Sequence, residues 1–274
     1  MNKFDLFYTV ANHDLDLVEE SIKNNSTKIQ GFNNIFVFNE FKKLEIKGTR
    51  SLKKDFFPFD LDYITKNMKL KNRAGWVYAQ LTKLYFPFLN KQNDFTLVVD
   101  CDVFFLKPIN FFQEKKPIYT ISDEYHAPYF EHMNKLHPDF DRASKMSGIS
   151  HHMMFNKHYL NEIFKKVENY HQKPFYQVYV EKLDQNENSS SADYEIYFHY
   201  LYKNYKNDLE IRNLKWENVD LLSKKNLNGK DMVSLPHYKM TRPRNFLTNI
   251  VKLKFRDALL SLLNIYFIRR INKL

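Results

Sequence analysis

Apolar and polar residues interchange along Phe4 to Val10 with Asp5 inside the run, a spacing that predicts a strand. Ala11 to Asp14 then reads as a turn, and Leu15 to Lys23 has helical spacing with Asp14 and Asp16 near its start, where negative charge suits the helix dipole. Ile35 to Phe38 is a second short apolar run, followed by an irregular basic stretch to about Asp60. The segment Arg73 to Phe86 repeats apolar residues at Trp76, Val77, Leu81, Leu84 and Tyr85, which predicts a helix that Pro87 ends. Phe95 to Val99 is a continuous apolar, largely β-branched run of the kind found in a central strand, and it stops at Asp100-Cys101-Asp102. Further strands are expected at Pro117 to Ser122 and Ile149 to Phe155, and further helices at His158 to Tyr170 and Ala192 to Tyr205.

Strands alternating with helices predict an α/β fold whose mostly parallel central sheet is flanked by helices. Ligands in such sheets bind outside the carboxyl ends of the strands, which is where the Asp100 and Asp102 pair falls. At 274 residues the simplest organisation is one domain over 1–240 with an appended tail over 241–274. In the tail, Arg242, Arg244, Lys252, Lys254, Arg256, Arg269, Arg270 and Lys273 flank the apolar stretch Ala258 to Ile268. Two readings fit it equally: a peripheral helix resting on anionic membrane, or a C-terminal helix packed on the domain with a solvated basic edge.

Aromatic residues, 25 Phe and 18 Tyr, supply large apolar area and exclude a disordered chain. The formal net charge of +10 favours anionic partners without choosing among them. A single cysteine, Cys101, rules out an intrachain disulfide and a multi-cysteine zinc site. That usage, with no basic export leader and no apolar run of membrane-spanning length, predicts a cytoplasmic protein, peripheral to the inner membrane face if the tail binds lipid.

The sharpest chemical signal is the acidic pair. Two carboxylates one residue apart, bracketed by Phe95-Thr96-Leu97-Val98-Val99 and Val103-Phe104-Phe105-Leu106, are costly beside a core unless a cation or hydrogen-bond donors meet them. Hard oxygen ligands suit Mg²⁺ or Mn²⁺, whose remaining positions take diphosphate oxygens. A D-x-D triplet by itself is common as a solvated loop, so the specificity lies in the apolar flanks.

The run Val98 to Ile109, VVDCDVFFLKPI, resembles the DxD motif of GT-A glycosyltransferases. Together with Arg73 to Leu84, Ser150 to Lys157 and Asp193 to Tyr200 it is similar to uncharacterised bacterial enzymes of surface-polysaccharide synthesis, over roughly the first 240 residues. The resemblance implies a GT-A-like single domain moving a sugar from a nucleotide-diphosphate donor, most simply a UDP-sugar, to a glycan or lipid-linked acceptor. By position it also implies metal ligation by Asp100, Asp102 and His237, and nucleotide contacts from Thr9, Val10, Ala11, Asn12 and Asp14. Arg73 and Gln80, on the helix that borders the donor in such enzymes, become candidates for the diphosphate; a solvated basic helix end is the bland alternative for Arg73. Of His151 and His152, which on a regular strand would face opposite sides, one is expected to reach sugar or phosphate, and His152 is carried as the donor contact.

Inverting transfer needs a carboxylate base for the acceptor hydroxyl, and such enzymes often carry it at the start of a helix beyond the DxD. Ser190-Ser191-Ala192-Asp193-Tyr194-Glu195 fits that location. Ser190-x-x-Asp193 also matches a capping box, which would occupy Asp193 with backbone N–H groups and leave Glu195 as the base, oriented by His199 at i+4. Two other classes compete. A haloacid-dehalogenase-type phosphatase also sets D-x-D after a strand, although there the motif opens the domain. A basic nucleic-acid or lipid-binding module would interleave exposed aromatics with its charge, whereas most Phe and Tyr here fall in core-like runs, so no nucleic acid is expected.

Overall fold

The computed structural model describes residues 3–236, so His237 and the tail 241–274 lie outside the described residues. In chain order the strands and helices are β1 (Phe4–Thr9), α1 (Leu15–Lys28), β2 (Phe32–Phe38), β3 (Arg50–Ser51), α2 (Leu61–Asn67), α3 (Ala74–Leu89) and β4 (Phe95–Val99). Next come β5 (Val103–Phe105), β6 (Phe112–Gln113), β7 (Lys116–Ile121), α4 (Ala127–Leu136), β8 (His152–Asn156), α5 (Lys157–His171) and α6 (Phe175–Glu181). The described chain ends with α7 (Asp193–Asn204), β9 (Glu210–Asn213), β10 (Trp216–Asn218), α8 (Lys224–Leu227) and β11 (Met232–Ser234).

Two compact units interleave along the chain. The larger comprises residues 3–9, 31–99 and 111–213, and the smaller 10–30, 100–110 and 214–236. The larger unit is a mixed α/β structure around a five-stranded sheet of order β3-β2-β1-β4-β8. Pairs β1–β2, β1–β4 and β2–β3 are parallel, and only β8 enters antiparallel, with Val99 opposite His152. A second, three-stranded sheet joins β6, β7 and β9. The aromatic richness of the sequence is spent here on the core: Phe7 stacks on Phe86 at 4.1 Å and 3°, and Phe164 on Phe175 at 3.9 Å and 7°.

Asp5, fully buried in β1, accepts from Asn34 N and Nδ2 at 3.0 and 2.8 Å, and from the Asn90 and Asn93 amides at 2.5 and 2.7 Å. A carboxylate with that many donors is a lock on the strand ends, which explains how an acidic residue sits inside an apolar strand. The expected stop at Pro87 is corrected: α3 runs on to Leu89 with Pro87 buried inside it. In the last turn a proline forfeits only one backbone bond, and Asn90 N–H still reaches Phe86 C=O at 3.2 Å.

His132 on α4 is enclosed, with Nε2 at 2.9 Å from Tyr179 C=O, and burial pulls its pKa down to about 4. The folded protein therefore binds fewer protons here than the unfolded chain. Stability from this group is intact above the ordinary histidine pKa of about 6.5 and is lost as pH falls towards 4, on the order of 3 kcal/mol in total. Urea unfolding across that range should show this slope in the native chain and a flatter one in His132→Gln.

The smaller unit packs α1 on the three-stranded sheet β10-β11-β5. Its core is Leu17, Phe104, Val219, Leu222, Val233 and Leu235. Polar residues of α1 stitch the helix to β5: Ser21 Oγ donates to Val103 C=O at 2.7 Å, Asn24 Nδ2 to Phe105 C=O at 2.9 Å, and Asn25 Oδ1 receives Phe105 N–H at 3.0 Å. Among the described residues no helix is long and apolar enough to cross a membrane.

Candidate functional site

In the smaller unit, Asp100-Cys101-Asp102 forms the turn between β4 and β5, closed by Val103 N–H on Asp100 C=O at 3.2 Å. An oxygen of the Asp100 carboxylate and one of Asp102 lie within 4.8 Å of each other, close enough for one cation to take both. Val103–Phe105 pairs antiparallel with Met232–Ser234, and Leu235 N–H continues the ladder onto Asp102 C=O at 2.9 Å. Leu235, two positions before His237, therefore lies beside Asp102.

Asp14 ends the short helical turn Asn12–Asp14, whose first carbonyl, that of Ala11, takes the Asp14 N–H at 3.0 Å. Its side chain makes no capping bond to α1. Instead Cys101 Sγ donates to Asp14 Oδ2 at 3.4 Å, and His13 Nε2 lies 3.3 Å from the same oxygen. Burial, with Asp14, Asp102 and Asp100 around it, pushes the Cys101 thiol well up, so it stays a protonated donor. Burial also pulls the pKa of His13 down, partly offset by Asp102. Ala11 and Asn12 are exposed, a placement that leaves both accessible to a ligand.

In the larger unit, Thr9 ends β1 and meets Thr82 Oγ1 at 3.3 Å. Arg73 lies over the Trp76 ring at 4.3 Å and donates from Nε to Asn188 C=O at 2.5 Å; burial lowers its pKa, with Tyr129 and Glu187 acting the other way. Gln80 is enclosed. Its amide donates to Ser191 C=O at 3.2 Å and accepts from Ser191 Oγ at 3.0 Å and from Tyr179 Oη. Gln80 thus holds the turn that leads into α7.

That turn decides the acidic residues. The N-cap of α7 is Ala192 with no side-chain capping bond, so the Ser190-x-x-Asp193 capping box does not form. Asp193 instead faces Lys83 Nζ at 3.7 Å, and the ammonium lies 4.7 Å over the Tyr194 ring. The Tyr129 phenol, raised to about 12 by burial, has Glu124, Asp193 and Arg73 around it, so Arg73 and Asp193 share one neighbourhood. Glu195 is fully buried and accepts from Ser147 Oγ at 2.7 Å and Gly148 N–H at 2.9 Å, with His199 Nε2 at 3.3 Å.

The Gly148 turn is pressed against α7: a Cβ there would stand 2.5 Å from Phe198 Cβ and 2.9 Å from Tyr194 C=O. Gly148→Ala must displace helix backbone, and a loss of about 2–3 kcal/mol in urea unfolding is expected. Beyond the turn His151 has φ 60°, outside the strand, and β8 begins at His152 rather than Ile149. The two histidines therefore do not alternate across a strand. His152 is buried with Nε2 on Thr120 Oγ1 at 2.8 Å and its ring edge-on to Phe111, while His151 is half-exposed. Arg212 shares Thr120 Oγ1 at 3.0 Å and covers Phe111, and burial pulls its pKa down to about 10.

Lys83, Ser147, Gly148 and His13 escaped the sequence reading. Lys83 had a signal, being the one charged residue on the stretch Ala74 to Leu89; the others gain meaning only from partners distant in sequence.

Comparison with protein families finds no match, and comparison with curated proteins finds none. Among solved structures the chain is similar to the mannosyltransferase Ktr4p from S. cerevisiae, at 15% identity and a TM-score of 0.46 over 71% of this chain. The match spans 64% of that protein's length.

Proposed function

We propose that the chain is a divalent-cation-dependent glycosyltransferase that moves a sugar from a nucleotide-diphosphate donor, a UDP-sugar foremost, to a glycan or lipid-linked acceptor in bacterial surface-polysaccharide synthesis. The observation that carries the reading is the pair of carboxylate oxygens within 4.8 Å at the turn that ends β4. Asp100 and Asp102 hold Mn²⁺ or Mg²⁺, with the imidazole of His237 as a further ligand. Of the two ions, Mn²⁺ accepts an imidazole ligand more readily than Mg²⁺. When bound, the cation supplies charge that stabilises the departing diphosphate. Thr9, Ala11, Asn12 and Asp14 border the nucleotide, and Arg73 pairs with the phosphates.

Asp193 takes the proton of the acceptor hydroxyl as that oxygen bonds to the anomeric carbon. The bond from that carbon to the diphosphate breaks with its electron pair leaving on the nucleotide. Two facts favour Asp193 over Glu195: the absent capping box, and the full enclosure of Glu195 by Ser147, Gly148 and His199. Lys83 holds the Asp193 carboxylate in place. A base of this kind implies inversion, so the anomeric configuration of the product tests Asp193 directly. Membrane contact through 241–274 rests on the basic and apolar pattern alone.

A panel of nucleotide sugars with and without Mn²⁺, read by thermal unfolding, tests the reading. A true donor at about a hundredfold excess over its Kd should raise Tm by about 5 °C or more, and only with the cation. No stabilisation by any donor, or stabilisation that survives EDTA, sinks it.

A further inference from the structure

Tyr125 is 60% exposed, yet its ring is held. It lies 5.5 Å from the Phe130 ring at 17°, and the Arg142 guanidinium stands over both, 4.4 Å from the Tyr125 centroid and 5.2 Å from that of Phe130. Arg142 is itself fixed, donating from Nη2 to Lys145 C=O at 2.9 Å. Below, Phe130 meets the fully buried His199 edge-on at 5.3 Å and 74°. An isolated surface aromatic needs no explanation, but one oriented by a second ring, a cation and a buried base is a prepared surface.

The surface is carried by α4 and its flanking loops, and through the contact of Phe130 with His199 it rests on α7, the helix that opens with Asp193. Six residues separate Asp193 from His199, roughly 9 Å along the axis at about 1.5 Å per residue. Tyr129, next to Phe130 on α4, bridges the two, since its phenol has Asp193 beside it. Two rings and a guanidinium are far smaller than the patch a protein partner buries. They match the apolar C–H face of a pyranose, whose hydrogens suit the negative face of an aromatic ring while its rim hydroxyls meet guanidinium donors.

We propose that Tyr125, Phe130 and Arg142 form a carbohydrate subsite that holds the acceptor chain one or two sugars away from the hydroxyl at Asp193. The assignment of the bound sugar as acceptor rests on the transferase reading; the subsite itself does not. The full chain, probed on a printed array of neutral and acidic oligosaccharides without nucleotide or cation, should bind at least one of them. Tyr125→Ala should weaken that binding about five- to tenfold, and Tyr125→Phe should keep it within about twofold. Stabilisation by Mn²⁺ with a nucleotide sugar should be the same in all three proteins, which shows that the variants fold. Absence of oligosaccharide binding in the native chain, or binding that Tyr125→Ala leaves intact, overturns the proposal. Should Tyr125-dependent binding occur while no nucleotide sugar stabilises the native chain, the subsite stands and the transferase reading falls.

Discussion

Asp100→Ala and Asp102→Ala are each expected to remove Mn²⁺-dependent stabilisation by nucleotide sugar and to lower turnover about a hundredfold or more. Each variant leaves one carboxylate where the geometry offers a pair within 4.8 Å, and a single carboxylate ligand holds a divalent ion weakly. The fold should survive, because the turn itself is held by the backbone: Val103 N–H on Asp100 C=O and Leu235 N–H on Asp102 C=O persist whatever the side chains. Relief of repulsion between the two acids should leave the cation-free variants as stable as the native chain or slightly more so. Calorimetric titration with Mn²⁺ and donor turnover measure the two halves of this expectation; donor binding that both variants retain in full excludes the cation clamp.

A second large effect separates the two acids of α7. Asp193→Asn keeps the shape but cannot take a proton, so kcat should fall by about 10² to 10⁴ with little change in the KM for donor. The low-pH limb of the rate profile should vanish with it. Glu195→Gln should behave differently. Its amide can keep only one of the two acceptors: with its oxygen on the Gly148 N–H, its NH2 faces the Ser147 hydroxyl that now donates at 2.7 Å, costing about 1–3 kcal/mol of stability while the pH profile keeps its shape. If instead Glu195→Gln abolishes the pH limb and Asp193→Asn does not, the two roles are exchanged.

Much of this was legible along the chain. The strand Phe95–Val99 matches its expected bounds, and the helices at Lys157–His171 and Asp193–Asn204 fall within a residue of theirs, because long periodic segments carry their own evidence. Local chemistry misled where tertiary packing overrode it. Pro87 did not stop α3, since its ring found a buried place in the final turn. Ser190 did not cap α7, since Gln80 had already claimed the neighbouring Ser191 and turned the chain. The alternation expected of His151 and His152 failed because a left-handed residue precedes β8.

The sequence by itself determined the alternation of strands and helices, the enclosure of core aromatics such as Phe7 and Phe86, and an acidic pair at the carboxyl end of an apolar strand, all of which depend on residues a few positions apart. Tertiary structure alone decided which distant partners each of the two acids of α7 meets. Besides His199 on its own helix, Glu195 meets Ser147 and Gly148, nearly fifty residues away, whereas Asp193 meets Lys83, more than a hundred residues away. Hydrogen bonds and ion pairs act over a few ångströms of space, and no local pattern encodes which distant donor the fold will bring within that reach.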